Sequence, residues 1–102
     1  MSDESLKTNI RFLIGKTLGV SLWQRRQGIT DIADFLYEIL TSETLPENGI
    51  DREVHSRLRD LMNSDFNRYQ RMRYCLKKSN NDNFNSMPIG DFIVYVLGGL
   101  NK

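Results

Sequence analysis

The residues best suited to chemistry lie in the second half of the chain, where Arg68, Arg71, Arg73, Lys77 and Lys78 follow Asp65 with no acid among them and with Tyr69 and Tyr74 interleaved. Planar guanidinium forks pair with both carboxylates and phosphates, and phenol rings add rigid contact area. The cluster therefore suits an acidic protein surface or a nucleic-acid backbone. Other reactive groups are sparse. His55 is the sole histidine and Cys75 the sole cysteine, too few to supply the three or four nitrogen and sulfur ligands of a metal site, and no acid-rich loop has calcium spacing. No motif places a nucleophile around His55, so a base there would have nothing to activate. Cys75, between Tyr74 and Leu76, reads as a small buried hydrophobe. Gly15-Lys16-Thr17 has the ending of a phosphate loop, but the earlier glycine would have to occupy the position held by Ile10. The expectation is a non-enzymatic protein without metal or cofactor that works by binding.

The basic cluster belongs to a stretch, residues 51–78, that lacks glycine and proline and repeats apolar residues at helical spacing: Val54, Leu58, Leu61, Met62, Phe66, Tyr69, Met72 and Leu76. At about 1.5 Å per residue an unbroken helix would run roughly 42 Å, too long for a domain of this size to bury. Asn63-Ser64-Asp65 offers a fresh N-cap in mid-run, which predicts helices over 51–62 and 65–78. Before them, Leu6, Ile10, Leu13, Ile14 and Leu18 form the apolar face of a helix over 3–20, with acids in its first turn. A short helical or turn segment over 21–28, closed by Gly28 as a C-cap, leads to a helix over 30–42 capped by Thr30 or Asp31. In that helix Ile32, Phe35, Leu36, Ile39 and Leu40 face inward and Asp31, Asp34 and Glu38 outward. The polar run from Ser79 to Ser86 reads as a surface loop. Pro88 opens a last helix over 88–98, although Phe92-Ile93-Val94-Tyr95-Val96 is also strand-like; helix is preferred because no second strand exists to pair with it. The whole, 1–102, reads as an all-α single domain of about five helices. Its expected core is Leu13, Leu18, Phe35, Leu36, Ile39, Leu58, Leu61, Met62, Phe66, Tyr69, Phe92 and Val96.

Bulk properties narrow the partners. No apolar run approaches the roughly 18 residues of a membrane span, and Met1-Ser2-Asp3-Glu4 is acidic where a signal peptide would be basic, so a soluble cytoplasmic protein is expected. The single cysteine suits a reducing compartment. A net charge of +1 argues against nucleic-acid binding through the overall field. Charge is nonetheless polarised: residues 1–50 carry 5 basic and 7 acidic side chains, and residues 51–102 carry 9 and 6.

A second candidate surface comes from Ile14-Gly15-Lys16-Thr17-Leu18-Gly19-Val20-Ser21. This run resembles the turn of helix-turn-helix DNA-binding proteins, in which a small residue is followed four positions later by glycine, an apolar residue and a capping serine. In that pattern Gly15 lets two helices approach, Gly19 takes the left-handed turn, Val20 plugs the core and Ser21 starts the recognition helix. Over residues 14–28 the resemblance implies that Leu22 to Gln27 enters the major groove, with Trp23, Gln24, Arg25 and Arg26 meeting bases and phosphates. The chain departs from the pattern at Arg25, where an apolar residue would seat that helix, and at Gly28, which would end it after two turns.

Two binding functions follow. The preferred one is a small regulatory, adaptor or inhibitor protein that docks another protein through a helical face, with Arg68, Tyr69, Arg71, Arg73, Tyr74, Lys77 and Lys78 as contacts. The alternative is a nucleic-acid-binding regulator that uses the basic helix over 65–78 together with Arg25 and Arg26. Homodimer formation to bury surplus apolar surface stays open.

Overall fold

Asp65 divides the long apolar stretch. Its backbone N–H donates to the Leu61 carbonyl at 2.7 Å, ending one helix, and its carboxylate accepts from the Arg68 N–H at 3.1 Å, starting the next. The computed structural model describes residues 3–20, 26–43 and 48–100. Within them lie α1 (Asp3–Leu18), α2 (Arg26–Leu40), α3 (Ile50–Ser64), α4 (Phe66–Lys77), the single-turn α5 (Asp82–Asn85) and α6 (Ile89–Leu100), with no strand among the described residues. The expected all-α single domain is present, with six helices where about five were expected.

The extra helix corrects the reading of Ser79 to Ser86 as a surface loop. Phe84 is buried, and its ring meets Phe92 edge-on at 5.3 Å. The polar residues around it hold helix ends together. The Ser79 hydroxyl donates to the Leu18 carbonyl at 2.8 Å, Asn80 Nδ2 to Gly19 O at 2.8 Å, and Asn81 Nδ2 to Thr17 O at 3.2 Å, so three open carbonyls at the end of α1 are satisfied from a distant segment. Asn85 Nδ2 donates to Ser79 O at 2.7 Å and reaches the last carbonyls of α4, Leu76 and Lys77, at 3.3 Å. Ser79→Ala is expected to lower stability by about 1 kcal/mol, because the buried hydroxyl also accepts from the Asn81 N–H; the shift of the urea midpoint at unchanged slope measures it.

The α1 exit has the expected turn. Gly19 sits at φ 66°, its N–H bonds to Lys16 O at 3.3 Å, and the Val20 N–H bonds to Gly15 O at 3.1 Å, the paired bonds of a Schellman cap with Val20 folded inward. Beyond it the reading needs correction. Helix α2 begins at Arg26 and runs through Gly28, so Gly28 is not a C-cap and Thr30 and Asp31 do not start the helix. Gly28 instead lets α2 lie against α4: a Cβ there would come within 2.9 Å of Cys75 Cβ and 3.1 Å of Arg71 O. Asp31, expected to face solvent, is buried, and its carboxylate accepts from Arg71 Nε at 2.7 Å and Gln27 Nε2 at 3.1 Å.

Helix α2 packs between α1 and α4, while α3, α4 and α6 close the other side of the core. The Cα radius of gyration is 12.8 Å, close to the roughly 13 Å expected for about 100 packed residues. Of the expected core, Leu18, Phe35, Leu36, Ile39, Leu58, Phe92 and Val96 are buried, and Leu13, Leu61 and Tyr69 pack partly against it. Met62 and Phe66 are corrections, being 37% and 53% exposed. The chain reorients at Asp65, so the apolar stripe of α3 does not continue inward through the junction. Cys75 is buried, as its small apolar character implies.

At the far end of α2 the Tyr37 hydroxyl bonds to the Asp3 carboxylate, which together with burial and the charges of Asp3 and Glu4 raises the phenol above its ordinary 10.0; Lys7 Nζ lies 4.8 Å from the ring centroid. A raised folded pKa means a contribution that is complete below the unfolded value and is lost as pH rises through the folded one. Absorbance titration of the phenolates should show one late-ionising tyrosine that moves to lower pH in Asp3→Asn.

Candidate functional site

The Asp65 junction sets α3 and α4 against each other, and the turn between α5 and α6 forms a third wall. Between these elements lies an open groove of 1330 Å³, larger than the roughly 300–1,000 Å³ of small-molecule sites. Leu58, Cys75, Leu76 and Ile89 are its buried apolar floor. Met62 and Tyr74, 54% exposed, stand at its rim with Met87 and Pro88.

Its charge is one-sided. Arg59, Arg71, Arg73 and Lys77 line the groove with His55, and no Asp or Glu is among the lining residues. Asp91 approaches only the edge, 3.8 Å from His55 Nε2. The imidazole lies directly over Gly90, where a Cβ would overlap it. Arg71 is already neutralised by Asp31, and that bond raises its pKa further, so it stays charged at all accessible pH. Among the described residues no carboxylate pairs with Arg59, Arg73 or Lys77.

Of the residues singled out in the sequence, Tyr69, Arg71, Arg73, Tyr74 and Lys77 come together along one wall. Arg68 turns the other way, toward α2, with Nη2 3.4 Å from Asp31 O and 3.7 Å from Glu38 Oε1. Lys78, at the C-cap of α4, stacks its ammonium 5.6 Å from the Tyr74 ring centroid, and Arg73 lies 5.8 Å from that of Tyr69. Trp23, Gln24 and Arg25 lie outside the described residues, and Arg26 is described only as the first residue of α2.

The facing wall was missed in the sequence: His55, Arg59 and Met62 on α3. A signal for it existed, since positions 55, 59 and 62 form a second helical stripe beside Val54, Leu58 and Leu61. No family model, curated protein or solved structure matches this chain. The site must be read from its own chemistry. No helix among the described residues is long and apolar enough to cross a membrane, and they contain no group of three or more His, Cys, Asp or Glu able to hold a metal.

Of the recognition segment that the helix-turn-helix resemblance implies, Leu22 to Gln27, residues 22–25 lie outside the described residues. The described helix following the turn is α2, whose inner face fills the core and whose outer face carries the acids Asp34 and Glu38. A phosphate backbone would meet negative charge there.

Proposed function

We propose that this chain is a non-catalytic interaction module, an adaptor or inhibitor, that docks a helical segment of a partner protein in the groove between α3, α4 and the α5–α6 turn. The observation that carries the reading is one concave surface holding a buried apolar floor, exposed Met62 and Tyr74 anchors, and charged side chains confined to its walls. Grooves of that composition receive amphipathic helices, whose apolar stripe fills the floor while the polar flanks meet the rim. Methionine at two points, Met62 and Met87, gives the lining an unbranched, polarisable surface that adapts to a neighbour's side chains.

The nucleic-acid alternative draws on the same cations. It is the weaker account because Arg68 and Arg71 are engaged with α2, and one face of each tyrosine ring that would stack on a base is covered by Arg73 or Lys78. Fluorescence anisotropy with labelled amphipathic helical peptides and a labelled DNA duplex separates the two. Met62→Ser/Tyr74→Ala, which alters exposed positions and should leave the circular dichroism unchanged, is expected to weaken peptide binding at least tenfold. Tight duplex binding with a steep log-linear salt dependence, indifferent to that double variant, would overturn the docking account.

A further inference from the structure

We infer that the docked segment is an acidic amphipathic helix, recognised by cations on both walls of the groove: Arg59 on α3, with the His55 imidazole one turn before it, and Arg73 and Lys77 on α4. The inference rests on the docking reading and names its partner's chemistry. Each pair is spaced four residues apart on its helix, so both members project from one face, and carboxylates at the same spacing on an incoming helix would meet them in register.

The two flanks of α4 carry the argument. On the flank toward α2, Arg68 pairs with Glu38 and Arg71 with Asp31. On the flank toward the groove, Arg73 and Lys77 have no carboxylate among the described residues, and neither has Arg59 on the facing wall. The chain's net charge is only +1, whereas the groove lining holds Arg59, Arg71, Arg73 and Lys77 and no Asp or Glu. An occupant with a purely apolar or uncharged outer face would strip water from these cations without replacing it, and a basic one would add repulsion. Carboxylates compensate the desolvation and speed encounter.

A second copy of this chain fits poorly. Its acids on α2, half-buried Asp34 and exposed Glu38, are four apart, but Glu38 is already paired with Arg68, and the apolar stripe of that helix is buried in its own core and leaves no anchor for the floor. Helix α4 spans 12 residues, about 18 Å, which matches an occupant of roughly three turns.

The test titrates the isotope-labelled full chain with three synthetic helical peptides that share one leucine stripe and carry Glu, Gln or Lys on the flanks, and with oligothymidylate. Amide shifts at His55, Arg59, Met62, Arg73 and Tyr74 report occupancy of the groove. The Glu peptide is expected to bind there at least tenfold more tightly than the Gln peptide, with the Lys peptide weaker still. Arg59→Gln/Arg73→Gln/Lys77→Gln should abolish that preference while Gln-peptide binding persists. Equal or tighter groove binding of the Gln or Lys peptide would overturn the acidic partner and leave docking intact. Failure of all three peptides to perturb the groove would remove the docking reading itself. Oligothymidylate outcompeting the Glu peptide there would replace both with a nucleic-acid ligand, and a dimer in light scattering whose interface shifts map to the groove would replace both with self-association.

Discussion

Phe92→Ala should lower the stability of the fold by about 3–5 kcal/mol, as truncation of a fully enclosed aromatic does when its neighbours cannot collapse into the space. The ring is completely buried on α6, which packs on α3 and α4, and it forms a T-shaped pair with Phe84 from α5. Its loss removes both the transfer of the ring from water and the packing that keeps the short α5 turn seated. Against a total of roughly 5–15 kcal/mol for a domain, that is enough to leave the variant partly unfolded at 37 °C. Phe12→Ala is the contrast, since Phe12 is 59% exposed and its removal should change stability by under about 1 kcal/mol. Chemical denaturation followed by circular dichroism measures both, and a Phe92→Ala loss below about 1 kcal/mol would contradict the seating of α6 described above.

Gly28→Ala and Gly98→Ala should move stability in opposite directions although both put alanine for glycine in a helix. Intrinsic propensity favours alanine by at most about 1 kcal/mol at either site. At Gly98 nothing lies within 4 Å of the new methyl, so the gain is realised, reduced by its nearness to the end of α6. At Gly28 the methyl meets Cys75 Cβ at 2.9 Å and Arg71 O at 3.1 Å. Neither atom is the free end of a side chain; both move only if α2 and α4 separate. Separation strains the Asp31–Arg71 bond at 2.7 Å and opens the tight core beneath it. Overpacking of this kind typically costs about 1–3 kcal/mol or more, so the net result at Gly28 should be a loss of about 2 kcal/mol. Thermal unfolding should therefore rank Gly98→Ala at or above the parent and Gly28→Ala well below it. Because Gly28 also lines the groove, the weakened variant should show altered shifts at Tyr69 and Tyr74.

The groove's two long walls differed in how readable they were. Tyr69, Arg73, Tyr74 and Lys77 stand out in sequence because consecutive cations and aromatics on one helix form a visible cluster. His55 and Arg59 do not, since each alone is an ordinary surface residue of α3 and acquires meaning only from what faces it, while Met62 reads in sequence as part of the core stripe. Arg68 and Arg71 are the converse. They belong to the same cluster by sequence, yet acids on α2 dozens of positions away turn them into ties between helices.

What the sequence determined by itself were the features governed by local rules. Apolar residues at helical spacing marked the five long helices, Asp65 capped α4 where a cap was needed, Gly19 took the left-handed turn, and the lack of any pairing strand made residues 89–100 a helix despite their β-branched run. Tertiary structure alone decided the rest. A glycine that ends a helix and a glycine that admits a neighbouring helix carry the same local signature, so Gly28 could be assigned only when α4 arrived beside it. Asp31 became an interior residue because Arg71 came to meet it, and Phe84 left a polar run because Phe92 stood above it. Met62 and Phe66 continue the apolar stripe in sequence, but the direction in which α4 leaves Asp65 is set by what the whole core can bury. That choice carried them out of the core and put Met62 at the rim of the groove.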